Sequence, residues 1–418
     1  MAHARSHSRR CVLTAFLATY ILAAQEKTNW DQDLQDGVKA FATGHYARAV
    51  ESLTAALQDA QAFPALDLRR ADAAHLLGMS HQFQGELDRA EPLYLQAKTI
   101  RESNGEAGRK LLGITLDAIA QLRFEQERWK DAEDLEHQAA ALCGETRGEY
   151  DTCTLNANRH LGEIYSTEGR LTEAETIFQQ VIHAARQNVT LEAQLLPTAL
   201  RDQALIVVAK GQYREAEPLL KEALDLSSKL GAERSEVADS LVALARLYHV
   251  EGDTARAEPL LTRAAAIYEK NDDPCLAHAL QELGMIAITE GKYASARQRF
   301  LRTVAIYQKF LGQDHINVAF AEVGLAETYL GERNYTEARS LIEHALVKER
   351  AVLSDTHPEL ARAHMTAARI SEALRLGSEA AAHYRQALDI YRRTTTRNNP
   401  VRVMAERQYE QFSKSFRK

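Results

Sequence analysis

Several residue types and patterns are scarce in this chain. Its 418 residues include only 8 prolines, 20 glycines, 4 cysteines and 2 tryptophans. No low-complexity stretch appears, and no alternating Val/Ile/Thr run suggests a sheet. There is no phosphate-cradling glycine loop, no G-x-S-x-G elbow and no H-E-x-x-H pair. The 15 histidines never stand four apart with a carboxylate between them. These absences point away from an enzyme and from a metal site, and no cofactor is expected. Positive charge is also missing: the formal net charge is −7, which excludes a general nucleic-acid binder. What dominates instead is Ala, Leu, Glu, Arg and Gln, all good helix formers.

The first residues form the one apolar run. "MAHARSHSRR" carries three arginines and no acid, and "CVLTAFLATYILAA" follows from Cys11 to Ala24. A basic start, a short apolar stretch and small residues at its end predict a secretory signal peptide over residues 1–24. The run falls short of the roughly 20 residues that a membrane-spanning helix needs. Ser8, Arg9, Arg10 and Leu13 also resemble a twin-arginine export signal, from which Val12 and Thr14 depart. Cleavage would bring the net charge to −10, because three arginines leave with the leader. The expected location is therefore periplasmic or extracellular. An uncleaved signal would tether the chain to a membrane, and a segment that is no signal at all would leave it in the cytoplasm.

The body of the chain is a repeat. Ala49, Ala90, Ala132, Ala174, Ala216, Ala257, Ala296, Ala338 and Ala380 stand at intervals of 39 to 42 residues. Twelve residues before each lies another small residue, Gly or Ala, as at Gly162 and Ala204. Four residues after each lies a large one, as at Tyr94, Phe178 and Leu220. Glu136 is the exception. Offsets of four and seven return to one face of a helix, so small and large residues can interlock between two helices. A glycine five residues before the alanine occurs in six units, at Gly44, Gly85, Gly169, Gly211, Gly252 and Gly291, and suits a left-handed turn. Pro92, Pro218 and Pro259 are expected near the start of the second helix, where a missing N–H costs least. Nine units of helix, tight turn, helix run from about Trp30 to Arg393. One pair cannot bury its apolar face alone, and stacked copies can. The repeat array is placed at 25–394 and a C-terminal capping helix at 395–418. Asn399 would cap that helix, with Pro400 at its first position and Val401, Ala405, Phe412 and Phe416 covering the last exposed core.

The series Gly162, Tyr165, Gly169, Ala174, Phe178 resembles the tetratricopeptide repeat. The spacing near 42, with the connectors "LGQDHINVA" at Leu311 and "LSDTHPELA" at Leu353, resembles its kinesin-light-chain type. The resemblance implies an all-α, right-handed solenoid of about nine helix pairs, with a concave groove that binds proteins or peptides. It also implies that the residue two places before the small one points at a ligand. Those positions hold Gln35, Leu76, Ala118, His160, Asp202, Ala243, Glu282, Gly324 and Thr366, with no asparagine ladder of the kinesin-light-chain kind. Arg159, His160, Arg201, Asp202 and Arg246 should neighbour one another in the groove and suit a carboxylate or acidic peptide. The competing expectation is an ordinary polar groove in which Glu163, Asp202 and Asp239 neutralise the arginines. The function expected is an exported interaction scaffold; the alternative is an accessory solenoid of an enzyme or secretion assembly.

Three cysteines follow the leader. Family topology brings the helix ends bearing Cys143 and Cys153 together, and a bridge there would close a loop of about ten residues and contribute roughly 2–3 kcal/mol. Two independent small residues in a helix pair are the other reading. Cys275 has no partner in sequence.

Overall fold

The computed structural model describes residues 29–188, 191, 195–395, 397 and 399–416; the leader expected at 1–24 lies outside them. Among the described residues there are 19 α-helices and no strand. The chain divides into two compact units, Met1–Cys275 and Leu276–Lys418.

The first unit holds six helix pairs: α1 (Asn29–Ala42) with α2 (Tyr46–Asp59), α3 (Leu68–Phe83) with α4 (Leu87–Glu102), and α5 (Gly105–Glu125) with α6 (Trp129–Arg147). Then come α7 (Thr152–Thr167) with α8 (Leu171–Arg186), α9 (Leu196–Ala209) with α10 (Tyr213–Lys229), and α11 (Ser235–Val250) with α12 (Thr254–Lys270). The second unit holds α13 (Leu276–Thr289) with α14 (Tyr293–Leu311), α15 (Ile316–Gly331) with α16 (Tyr335–Val352), and α17 (Pro358–Ala373) with α18 (Gly377–Thr394). A single helix, α19 (Pro400–Phe416), follows.

The repeating alanine is the point of closest packing. All nine index alanines have 0% exposure. The small residue on the first helix and the large residue on the second form a matched pair. A methyl group added to Gly162 would lie 2.7 Å from the Phe178 ring, and one on Gly284 would lie 2.7 Å from Phe300. Such distances leave no room for a side chain, so glycine here lets an aromatic ring fill the space.

The turn inside each pair places its residue in the left-handed region in all nine units, with φ between 57° and 82°. Six are the expected glycines. The other three are Glu127, Arg333 and Arg375. Each turn closes in the same way: Arg333 N–H donates to Leu330 O at 3.1 Å, and Asn334 N–H to Tyr329 O at 2.9 Å. This is the Schellman pattern that ends a helix on a left-handed residue.

Two expectations are corrected. Pro92, Pro218 and Pro259 occupy the sixth residue of their helices, because α4, α10 and α12 begin three residues before the alanine. Each therefore removes one intrahelical hydrogen bond instead of falling among the first four free N–H groups. In α19, Ala405 and Phe412 are buried but Val401 is 46% exposed. Tyr409, one turn before Ser413, packs beside Phe412 against Tyr384 instead. Asn399 Oδ1 accepts from Val401 N–H at 3.0 Å and caps the helix. The side chain of Phe416 lies outside the described residues.

The second unit also carries a buried acid. Glu349 on α16 has 0% exposure and neither carboxyl oxygen has a hydrogen-bond partner among the described residues. Burial, opposed by Arg362, pushes its carboxyl up to about 8.

Two predictions follow from these backbone and burial facts. Arg333→Gly should raise stability. Relief of about 1–2 kcal/mol of left-handed strain exceeds the 0.4–1 kcal/mol or so lost to greater unfolded-chain freedom. Equal or lower urea midpoints for the variant would contradict the assignment. For Glu349, the folded pKa lies above the unfolded value near 4.5, so the folded state keeps a proton that the unfolded state has lost. Its effect on stability is nil below about 4.5 and grows unfavourable at about 1.4 kcal/mol per pH unit until pH passes 8. Denaturation from pH 5 to 8 should show a shallower decline for Glu349→Gln than for wild type.

Candidate functional site

Successive first helices of the first unit lie side by side, which brings residues about 42 apart into contact. Fifteen residues before the index alanine stand His75, Asp117, Arg159 and Arg201, on α3, α5, α7 and α9. The neighbouring position adds His160 and Asp202. All of these side chains except Asp117 are buried.

Arg159, at 0% exposure, is the centre of the seam. Its Nη1 donates to Glu163 Oε1 at 2.5 Å and to Asp202 Oδ2 at 3.0 Å. Its Nη2 lies 2.5 Å from His160 Nε2. An acceptor Nε2 places the ring proton on Nδ1, which faces Asp117 Oδ1 at 2.5 Å. Gln121 Nε2 donates to the other Asp117 oxygen at 2.8 Å. Arg201 turns the other way, bonding Thr198 Oγ1 at 3.1 Å and Ser240 Oγ at 3.3 Å. Arg246 on α11 is half-buried, and Asp239 accepts from Tyr268 at 2.6 Å.

The electrostatics follow from this geometry. Burial opposes the charge of Arg159, but Glu163 and Asp202 more than compensate and hold the guanidinium firmly protonated. Burial raises the Asp202 carboxyl despite the adjacent Arg159. Burial also works to raise Asp117, but the neighbouring His160 ring brings it below the usual carboxylate range.

Thus Arg159, His160 and Asp202 are brought together, and Arg201 and Arg246 lie along the same face on later helices. The charge of Arg159 is matched inside the protein by Glu163 and Asp202, two of the three acids named in the polar-groove expectation; the third, Asp239, accepts from Tyr268.

Two participants were not among the candidates. Asp117 lies 43 residues before His160 and has no local signature. Glu136 did leave a mark, as the one break in the row of large residues. It occupies the site filled elsewhere by Tyr94 or Phe178, is 0% exposed, and shares a hydrogen bond with the Asp117 carboxyl. Its Oε1 is 3.6 Å from His160 Nδ1. Burial, with the Asp117 charge beside it, pushes its carboxyl well above the usual range.

The same junction carries a covalent link. Cys143 on α6 and Cys153 on α7 are joined, with Sγ–Sγ 1.96 Å and Cα–Cα 5.8 Å. Gly113 on α5 makes room: a methyl group there would stand 2.5 Å from Cys143 Sγ. Cys275 is buried and lies outside that link.

Comparison with known proteins settles the family. The tetratricopeptide repeat family models match residues 111–187, 195–270, 275–346 and 317–393, and 70–103, together well over half of the chain. The chain belongs to the tetratricopeptide repeat family. A Rap protein complexed with competence and sporulation factor is 17% identical over 87% of this chain and 98% of its own, with a TM-score of 0.58. The apo quorum sensor NprR from B. thuringiensis is 13% identical over 76% of this chain and 87% of its own, at 0.50. A kinesin light chain repeat protein from Podosopora anserina is 24% identical over 49% of this chain and 99% of its own, at 0.40. At these identities the likeness is one of fold. No curated protein matches the chain. Tetratricopeptide repeat solenoids are generally non-catalytic scaffolds, and a protein-interaction role fits this one.

Removing the hub of the seam should be costly. Arg159→Ala leaves Glu163 and Asp202 buried without their cation, and should destabilise by about 3–5 kcal/mol, the usual penalty for breaking one side of a buried pair. A variant that unfolds at the wild-type denaturant midpoint would show that the seam is energetically idle.

Proposed function

We propose that this protein is an exported, non-catalytic scaffold that holds a protein or peptide segment along the first-helix face of its first unit. One observation carries the reading. Eleven residues before the index alanine, on the stripe next to the buried seam, stand Gln121, Leu205 and Arg246, each half-buried and each on a different first helix. The seam beneath fixes those helices in register, and the row offers an amide, an apolar side chain and a cation on the third, fifth and sixth pairs; at the fourth the same offset holds Glu163, which is buried in the seam. Mixed polar and apolar contact on a rigid frame is what recognition of an extended segment requires. The fold-level neighbour seen in complex with competence and sporulation factor is a precedent for a ligand on such a solenoid.

The Arg159 charge is already matched and Arg201 is buried, so Arg246 is the one cation of the expected cluster that stands in the half-buried row. Export is supported by the basic and apolar leader together with the Cys143–Cys153 link, since structural disulfides persist in oxidising compartments. Among the described residues no helix is long and apolar enough to cross a membrane.

The binding test is capture of partners from the extracytoplasmic fraction with wild type and with Leu205→Glu/Arg246→Glu. The double variant should lose at least tenfold in affinity for the captured partner, about 1.4 kcal/mol, with an unchanged melting temperature. Undiminished capture of every partner would move the site elsewhere. Export is tested on the native protein: its N-terminus should begin near Gln25, and non-reducing mass spectrometry should find Cys143 and Cys153 linked. An intact leader with both thiols free would overturn that part.

A further inference from the structure

We propose that Asp117, Glu136 and His160 form a site for a divalent first-row metal ion, zinc being the first candidate, at the junction of the third and fourth helix pairs. Each residue offers one ligand atom, and the three atoms lie within 4.8 Å of one another. They come from three different helices, α5, α6 and α7, so the site exists only when the two pairs are stacked. His160 Nδ1 is 2.5 Å from Asp117 Oδ1 and 3.6 Å from Glu136 Oε1. Zinc bonds imidazole nitrogen and carboxylate oxygen at about 2.0–2.2 Å, so the atoms around one ion stand about 3–3.5 Å apart. Small side-chain adjustments reach that spacing.

Glu136 is the independent observation. In the other units its position holds a large apolar or aromatic side chain. Here a carboxyl group sits at 0% exposure beside His160 and shares a hydrogen bond with the Asp117 carboxyl. Two acids side by side in the interior are expensive, and packing alone would be served better by leucine. A metal ion replaces the proton between them and satisfies both carboxylates.

Charge points the same way. The cluster sets the four carboxylates of Asp117, Glu136, Glu163 and Asp202 against the two guanidinium groups of Arg159 and Arg201. With Glu136 ionised two negative charges remain, so a divalent ion entering the site displaces the Glu136 proton and cancels them. Three protein ligands leave a fourth position for water, and the Asp117 side chain, 18% exposed, provides the approach.

Binding requires one local change. With the ion on Nδ1, the ring proton resides on Nε2, which can no longer accept from Arg159. Arg159 already holds Glu163 and Asp202 through Nη1 and draws onto them. One of those carboxylates then takes the Nε2–H, the outer-shell arrangement that orients a metal-bound imidazole. The ion would serve the same junction as the disulfide: Cys143 lies two turns beyond Glu136 on the same face of α6.

The test uses tag-free mature protein, stripped with a chelator and dialysed. Calorimetric titration with zinc chloride should give one site per chain and a raised melting temperature. Glu136→Gln keeps the side-chain shape and should fold, as circular dichroism will verify, but bind zinc at least tenfold more weakly. Asp117→Asn should behave alike. X-ray absorption at the zinc edge should show one nitrogen and otherwise oxygen donors. Failure of wild type to bind zinc, or equal affinity in both variants, overturns the proposal. Partner capture by the Leu205/Arg246 row is measured separately and stands or falls by itself.

Discussion

The close contact between the two helices of a pair is the constraint from which the rest of this structure descends. Nine alanines with no exposed surface hold one side of it. On the other side a glycine or alanine admits a ring or branched chain, as Gly162 admits Phe178. Once the two helices are fixed at that distance, the turn between them must reverse within a few residues, and the left-handed position follows. Once the pairs are alike, they stack, and residues some 42 apart meet on neighbouring first helices. The buried seam is a product of that stacking and could not form within any single pair.

The helix pairs were legible because interhelical contact demands small residues at fixed offsets, and composition records the demand directly. The turns were legible only where glycine supplied the conformation. At Glu127, Arg333 and Arg375 the backbone requirement is the same, but the residue accepts strain instead of avoiding it, so nothing in the side chain announces it. The misplaced prolines show the same limit. Their offset from the alanine was readable, whereas the first residue of the second helix depends on where the Schellman turn ends, and no side chain marks that point.

The seam was half legible. Register arguments brought Arg159, His160 and Asp202 to one place, yet these residues were expected to line an open groove. What decided their burial was the neighbouring helices, through Asp202 at a separation of 43 residues and Asp117 at the same separation on the other side. Pairing at that distance leaves no local pattern. Glu136 was visible as an exception to the row of large residues, and its meaning emerged only when the structure placed it opposite His160.

In a solenoid each pair contacts only its neighbours, so stability is a sum over junctions and the weakest junction is where the array opens. Apolar contacts at each junction contribute in proportion to buried area. At the junctions that flank α7 a polar cluster is added, whose groups give up hydration that their mutual attraction repays only partly. A buried ion pair is poor evidence of strength, but it does impose geometry: Arg159 reaches Glu163, Asp202 and His160 together in one register only. The covalent link between α6 and α7 joins the third pair to the fourth on one side of this cluster. It limits the freedom of the opened chain there. Polar specificity and covalent closure thus sit together. The half-buried row of Gln121, Leu205 and Arg246 lies on helices whose alignment this junction helps to fix, so a ligand on that row meets a surface already in place and need not spend its binding energy on ordering it.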